Sequence, residues 1–335
     1  MITFAAGFWI MFYLLQKDLR FQIFILVVLS GLFCYQLFVL PVAFCSPDSF
    51  LPYTQTLRQW VLANPLAARI VTLLLFALQQ FQLFSYFKRS KFDDQTSLLP
   101  CAALALFTVA GGPAVICSPV LIANTVLTSL LLLIDDSSHS HQKSKVLLAG
   151  ILIGIATFFD LSLFLLTAAF LLFLITNRFN SISDIFVHII GILIPYIYSI
   201  AHSFFVESLP QDFATFIQAG LTFPLLTETH PSIVAIISAS VVVLLLIYIF
   251  VRLKIHFDYK LIVVRRRFIN IHILFVVLVG VVLLTNLPFP ASAAYLSVPL
   301  SIYLASYAPS RRLTITKEVV FTLFLTAEIL LGMGV

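Results

Sequence analysis

The length of the uncharged apolar runs is the feature that most constrains this chain. Residues 147–177, LLAGILIGIATFFDLSLFLLTAAFLLFLITN, carry a single charged side chain, Asp160. Apolar residues make up 61% of the 335-residue chain and charged residues only 10%, and a soluble domain with so few charges could not keep its surface solvated. Because the runs lack the alternation of barrel strands, we predict an all-α, polytopic membrane protein.

The longest run must be divided. As one helix, residues 147–177 would extend about 46 Å, against a hydrocarbon core of about 30 Å. Lys143 and Lys145 precede the run and Arg178 follows it. Since basic flanks stay on the cytoplasmic side, the chain must cross and return. We therefore predict a hairpin that turns near Asp160.

Glycine and proline divide a second long run, residues 98–134, at the motif GGPAVICSP, because both residues break helices. After these two divisions the chain contains about twelve helices, which we give as 10–13 transmembrane helices in a single integral membrane domain over residues 1–335. The apolar segments lie near 2–16, 21–45, 67–87, 98–134, 147–177, 184–203, 232–253, 268–286, 291–308 and 314–334.

The distribution of basic residues predicts the orientation. If the loop at 88–97 is cytoplasmic, every other basic cluster falls on the cytoplasmic side, and of the 19 Lys and Arg residues only Arg58 and Arg69 face outward. An asymmetry of this size follows the positive-inside rule. Anionic headgroups account for the basic stretch 254–268, so we expect no nucleic-acid partner.

Two segments of the predicted outer face have amphipathic patterns. In CSPDSFLPYTQTLRQW (45–60), Tyr53, Leu57 and Trp60 recur at helical spacing, which is typical of an interfacial helix over 50–62. A simple surface cover for the bundle explains the same pattern. The outer loop 204–231 has a second apolar stripe, so we predict two outer-face interfacial helices.

Acidic residues collect on the same predicted face: Asp48, Asp160, Glu207, Asp212 and Glu228. Such carboxylates can act as general bases or hold a divalent cation, although acids also accumulate wherever basic residues are excluded. Asp160 would be solvated at the tip of the hairpin, whereas at greater depth it would be an intramembrane acid and a functional candidate.

The stretches SPVLIANTVLTSLLLLIDD (118–136) and KVLLAGILIGIATFFDLSLFLLTAAFLLFLI (145–175) resemble a family of multi-pass bacterial inner-membrane proteins known only as a domain of unknown function. FSYFKRSKFDDQTSLLP (84–100) fits the same pattern. The arrangement is more distantly similar to type C glycosyltransferases, which use polyprenyl-phosphate sugars. That resemblance implies a bacterial inner-membrane location, Asp48 as general base or acceptor-orienting group, and Arg58 as a phosphate contact.

Our functional expectation is a type C-like glycosyltransferase that uses a lipid-linked sugar at the outer face. The alternative is a non-enzymatic subunit or scaffold of a cell-envelope complex, which packs against other membrane proteins. Transport ranks below both, and no motif indicates a metal or a cofactor. The candidate catalytic residues are Asp48, Asp160, Glu207 and Asp212. The candidate contacts to phosphate or lipid are Arg58, Arg69 and Trp60.

Overall fold

A computed structural model provides the architecture. It describes residues 19–39, 52–92, 97–110, 118–135, 142–176, 181–205, 251, 261–285 and 294–307. Every regular element in these ranges is helical, which confirms the predicted all-α fold. The predicted segments 2–16 and 314–334 and the second interfacial helix of loop 204–231 lie essentially outside the described residues.

The described ranges contain ten α-helices and two short 3₁₀ helices. The α-helices are α1 (Leu19–Val39), α2 (Pro52–Ala63), α3 (Pro65–Ser90), α4 (Leu99–Ala110), α5 (Pro119–Asp135), α6 (Gln142–Thr157), α7 (Leu165–Thr176), α8 (Ile182–Phe205), α9 (Ile262–Leu284) and α10 (Ser297–Tyr307). The 3₁₀ helices are Leu161–Phe164, before α7, and Ala294–Leu296, before α10.

Four of these helices, α1, α3, α8 and α9, are long and apolar enough to cross a membrane. No more than a third of the most apolar stretch of each is buried within the protein, as expected of helices that face lipid. Four shorter apolar segments, which include α4, α5, α7 and α10, each pack against at least one of the long helices. The total of 10–13 transmembrane helices and the single domain over 1–335 stay predictions.

Local sequence explains where the helices begin and end. Pro52, Pro65 and Pro119 each occupy the first position of a helix, where the missing N–H costs nothing and the fixed φ favours a helical start. The α3 helix ends at Ser90, and the capping residue Lys91 has a left-handed φ of 53°. The run 98–134 is divided between α4 and α5 as predicted.

The break in the longest run is also where we predicted it. Asp160 caps the 3₁₀ turn that precedes α7 by accepting a hydrogen bond from the Ser162 N–H. Gln142, at the start of α6, donates to Asp184 near the start of α8 (3.0 Å), and Thr157 at the end of α6 contacts Tyr196 in α8 (2.7 Å). Because α6 and α8 therefore run parallel, α7 must return between them, which confirms the hairpin.

Other pairs of contacts fix the remaining directions. Helices α1 and α4 are parallel, since Gln22 accepts from the Leu98 N–H (2.8 Å) and Gln36 donates to the Val109 carbonyl (3.3 Å). Helices α7 and α9 are antiparallel, since Thr176 bonds Asn270 and Asp160 bonds Thr285, both at 2.7 Å. Helix α6 runs toward Asp160, which bonds Thr285 at the end of α9. Because α8 is parallel to α6, α8 also runs toward the end of the bundle at which α9 finishes.

The basic residues gather at one end of this bundle, which we name the basic end; the opposite end is the far end. Arg267 joins two of its helices, because its guanidinium donates to the Arg89 and Ser90 carbonyls at 3.0 and 3.1 Å. Only Arg58 and Arg69 among the described basic residues belong to the far end. The described basic residues of the basic end are Arg20, Lys88, Arg89, Lys91, Lys143, Lys145, Arg265, Arg266 and Arg267.

The pair α6 and α8 meets along a glycine seam, formed by Gly150, Gly154 and Gly191. A Cβ at Gly191 would lie 2.5 Å from the Leu147 carbonyl oxygen, and one at Gly154 would lie 2.8 Å from that of Ile192. The spacing of Gly150 and Gly154 is the small-xxx-small pattern that permits such close approach.

The pair α3 and α5 meets along a polar seam of Gln79, Gln82, Thr125, Thr128 and Ser129. Gln79 donates to the Leu121 carbonyl (2.6 Å) and to Thr125 (2.9 Å), while Gln82 donates to Ser129 (2.9 Å) and accepts from Thr128. These bonds pair the Gln79 amide N–H groups, which would be costly to leave unpaired in an apolar interior, whereas the Gln79 Oε1 is buried without a hydrogen-bond partner.

Candidate functional site

The predicted site residues fall into three groups in the structure. Asp160 is buried at the α6–α7 turn. Arg58, Trp60 and Arg69 lie on α2 and α3 at the far end. The other predicted catalytic residues, Asp48, Glu207 and Asp212, lie outside the described residues, as do Glu228 and His230 of the same predicted loop.

Asp160 and the three residues that bond to it, Ser162, Thr285 and Tyr295, form what we name the Asp160 cluster. One carboxylate oxygen, Oδ1, accepts from the Ser162 N–H (3.0 Å) and from the Ser162 hydroxyl. The other, Oδ2, accepts from the Thr285 hydroxyl (2.7 Å) and the Tyr295 hydroxyl (2.8 Å). Four donors fill the four lone-pair positions of an ionised carboxylate, so no oxygen of Asp160 is left to take a proton from a substrate.

The cluster is enclosed by protein. Asp160 is 4% exposed, Tyr295 is fully buried and Thr285 is 8% exposed. The prediction that Asp160 is solvated at the hairpin tip is therefore wrong, because the end of α9 and the segment before α10 cover the turn. In the sequence, nothing marks Thr285 and Tyr295 as its partners, since they lie 125 and 135 residues away.

The depth of the cluster follows from helix geometry. Arg265 lies at the start of α9 and Thr285 directly after its end, which at 1.5 Å per residue separates them by about 30 Å. This distance matches the thickness of a hydrocarbon core. The Asp160 cluster therefore belongs to the far end, about one membrane core from the arginines of the basic end.

Asn124 extends the polar groups of this region. Its side-chain amide donates to the Ala294 carbonyl (3.0 Å) and to the Ser297 hydroxyl (3.1 Å), and thus holds the residues on either side of Tyr295. Asn124 is 2% exposed. No motif in the sequence marks this residue as functional.

The α2 helix forms the other candidate region. Val61 is buried in a small cluster with residues of α1, α3 and α4, and Leu57 packs against the same cluster. Arg58 is exposed and Trp60 is 39% exposed. The helix predicted over 50–62 is thus present from Pro52 as an amphipathic helix that packs Leu57 and Val61 on the bundle, and the Arg58 and Trp60 side chains remain accessible.

Arg69 is held differently from Arg58. Its guanidinium donates to the Phe38 carbonyl at 3.2 Å and lies over the Phe38 ring, 5.9 Å from the centroid. The end of α1 is thereby tied to the first turns of α3. No contact among the described residues joins Asp160 to Arg58 or Arg69, so the predicted catalytic and phosphate-binding residues are not brought together there.

These features define the chain as an all-helical, multi-pass membrane protein whose described basic residues lie almost entirely at one end. Comparison with known proteins takes the assignment no further: the sequence matches no protein-family model and no curated protein, and it matches no solved structure.

Proposed function

We propose that the protein transfers a sugar from a polyprenyl-phosphate carrier at its far end, in the manner of the type C glycosyltransferases that the sequence resembles. The observation that carries the proposal is the exposed Arg58 on an amphipathic helix at the far end, where Arg69 is the only other Lys or Arg among the described residues. A guanidinium there can form paired hydrogen bonds with a lipid phosphate. Trp60, two positions along, suits the headgroup region.

The positions of the helices support a carboxylate close to this arginine. Helix α1 ends and α2 begins at the far end, and Asp48 lies between them in the chain. Helix α8 also ends at the far end, at Phe205, and Glu207 follows two residues later. We therefore retain Asp48, Glu207 and Asp212 as catalytic candidates. Asp160 is withdrawn from that role, since its oxygens are already saturated.

The proposed reaction is a displacement at the anomeric carbon of the sugar. An acceptor hydroxyl oxygen attacks that carbon while the bond to the phosphate oxygen breaks, and the polyprenyl phosphate leaves with the bonding electron pair. Asp48 takes the proton of the acceptor hydroxyl. Arg58 neutralises the charge that develops on the departing phosphate.

Lipid binding and turnover test this proposal separately. A photoreactive polyprenyl phosphate should label the purified protein in nanodiscs, and Arg58→Gln should reduce the labelling about tenfold, because a charge-assisted bond to phosphate is lost. Lys88→Gln is the matched control: it removes an exposed cation from the basic end and should leave labelling unchanged. Equal loss in both variants would overturn the assignment of Arg58.

Turnover can be measured in membranes that contain the protein and a polyprenyl phosphate that carries a labelled sugar. The wild-type protein should transfer the sugar from this lipid, and Asp48→Asn should not. Labelling by the photoreactive lipid should persist in this variant. If the variant transfers sugar at the wild-type rate, Asp48 is not the base; if the wild-type protein transfers none from any such carrier, the enzymatic proposal fails.

A non-enzymatic membrane subunit remains the second candidate, and two observations favour it. Asp160, the single described residue among the four catalytic candidates, is fully occupied by internal hydrogen bonds. Helix α8 also presents a wide apolar face, with Phe186, Tyr198 and Phe205 more than 60% exposed. Cross-linking from these positions in native membranes should recover one defined protein partner if α8 is an interface, and only lipid if it is not.

A further inference from the structure

We propose that the junction between the end of α3 and the start of α9 binds the headgroup of an anionic phospholipid at the basic end. In this site Arg89, Arg265 and Arg266 contact the lipid phosphate, and Arg267 is a positioning residue that holds the two helix ends together. The inference is independent of the glycosyl-transfer proposal, which concerns the opposite end of the bundle.

The bonds of Arg267 bring the cations of two helices to one place. Its guanidinium donates to the Arg89 and Ser90 carbonyls in the last turn of α3, at 3.0 and 3.1 Å. Arg265 and Arg266 directly precede it in the first two turns of α9. Because the bonds from Arg267 use backbone oxygens, they do not involve the Arg89 side chain, which is exposed.

The two helices supply no carboxylate to balance these charges. Neither α3 nor α9 contains an Asp or a Glu. Within the described ranges, Arg89, Arg265 and Arg266 form no ion pair. Like charges that share one place repel one another, and an anion between them removes this cost. A phosphate suits the position, because a guanidinium can bond it through two parallel N–H groups.

Backbone N–H groups at the start of α9 add to the arginines. Leu261 occupies the cap position, and its side chain makes no capping hydrogen bond. The first N–H groups of α9 therefore have no side-chain cap, and they carry the positive end of the helix dipole. Their charge has the same sign as that of Arg265 and Arg266, so both favour an anion at this end of the helix.

Exposed apolar side chains lie on both sides of the arginines along α9. Ile262, before them, is 60% exposed, and Ile269 and Val276, after them, are 48% and 68% exposed. Cations that only keep a loop on one side of a membrane need no such surroundings, because the loop itself lies in water. A phospholipid offers both groups that this surface requires: a phosphate for the arginines, and acyl chains for the apolar side chains that follow them.

Selective lipid retention tests the proposal. The full-length protein is extracted into detergent with equal amounts of anionic phosphatidylglycerol and zwitterionic phosphatidylcholine, and the bound lipids are counted by native mass spectrometry. The wild-type protein should prefer phosphatidylglycerol by about tenfold or more. Equal retention overturns the proposal. It is the result expected if Asp93 and Asp94, which follow α3 and lie outside the described residues, neutralise the arginines instead.

Matched substitutions separate a defined site from general attraction. Arg89→Gln and Arg266→Gln each remove one cation of the site and should lower the preference about fivefold. Lys143→Gln removes an exposed cation from the start of α6, where the adjacent Gln142 bonds α8, and should leave the preference unchanged. Equal decreases in all three variants would show diffuse attraction and overturn the site.

Arg267→Lys tests the positioning role at constant charge. A lysine cannot reproduce the paired bonds to two carbonyls, so the helix ends are held less closely, and the preference should fall about fivefold. Retention of phosphatidylcholine should stay constant, which a general loss of structure would not allow. An unchanged preference contradicts the positioning role. If this variant fails to fold, Arg89→Gln against Lys143→Gln still decides, because Arg89→Gln keeps the carbonyl that Arg267 binds.

Two competition experiments identify the ligand. Inorganic phosphate at the same concentration should not displace phosphatidylglycerol, because it has no acyl chains; displacement would indicate a site for free anions and overturn the lipid assignment. In nanodiscs, excess phosphatidylglycerol should leave the Arg58-dependent labelling by polyprenyl phosphate unchanged. Loss of that labelling would mean that both lipids bind at the far end, which contradicts a separate site at the basic end.

Discussion

The polar seam and the glycine seam join helices in the same relative direction by opposite means. Helices α3 and α5 are held by side-chain hydrogen bonds from Gln79 and Gln82, whereas α6 and α8 approach so closely that no side chain fits at Gly150 or Gly191. Both pairs are parallel, with one antiparallel helix between them in the chain. The difference shows that an apolar bundle can fix a helix pair either by satisfying polar groups or by removing side chains.

The two seams should respond differently to substitution. A polar seam can lose one bond and let the freed hydroxyl turn to a carbonyl of its own helix, since such carbonyls lie within hydrogen-bond distance of the Thr128 and Ser129 hydroxyls. A glycine seam has no such reserve, because the contact atoms belong to the backbone. We therefore expect large effects from small changes in the glycine seam and modest effects from large changes in the polar seam.

Gly150→Leu should have the largest effect. A side chain at this position meets the backbone around His188 and Gly191, so α6 and α8 must separate. We expect a loss of about 3 kcal/mol in the free energy of unfolding, measured by steric trapping in bicelles. A loss below about 1 kcal/mol would mean that α8 can shift to admit a side chain.

Gln79→Leu should be second. It removes the bonds to Leu121 and Thr125 and replaces the amide with an apolar side chain of similar size. We expect the free energy of unfolding to fall by about 1–2 kcal/mol in the same assay. A cost equal to that of Gly150→Leu would contradict the distinction between the seams.

Gln82→Leu should cost only about 0.5 kcal/mol, since the freed Thr128 hydroxyl can donate to the Asn124 carbonyl of α5 and Ser129 keeps its bond to the Thr125 carbonyl. A double-mutant cycle with Ser129→Ala should give a coupling energy of similar size. Coupling above about 2 kcal/mol would show that the polar seam is more cooperative than its pairwise bonds indicate.

Gly31→Ala is the matched control for the glycine seam and should have the smallest effect. Nothing lies within 4 Å of a Cβ built at Gly31, and alanine favours a helix over glycine by up to about 1 kcal/mol. We expect a neutral or slightly stabilising result, and a clear loss would show that α1 has a neighbour at this face.

The sequence was informative where local chemistry decides structure. The breaks in the long apolar runs could be predicted from glycine, proline and the basic flanks. The amphipathic helix α2 could be predicted from the helical spacing of Leu57 and Trp60. The close approach of α6 and α8 could be predicted from Gly150 and Gly154. In each case the residues responsible lie within one helix or one turn of the feature that they produce.

The candidate site was less predictable because its contacts join distant parts of the chain. From the sequence, Asp160 could lie either at a solvated hairpin tip or at greater depth, and in the structure Thr285 and Tyr295 help to bury it. Neither residue has a pattern that distinguishes it from any other polar residue after an apolar run. Only the packing of α9 and α10 against the turn decides which hydroxyl groups reach Asp160.

The three consecutive arginines at the start of α9 are not interchangeable. For keeping a loop on one side of a bilayer, a lysine would serve as well as any of them. Arg267, however, spreads one planar group across two neighbouring carbonyls at the end of α3, and an ammonium has no such flat, two-pronged shape. Position 267 thus requires the shape of an arginine in addition to its charge, and among the described residues no side-chain hydrogen bond sets such a requirement at Arg265 or Arg266.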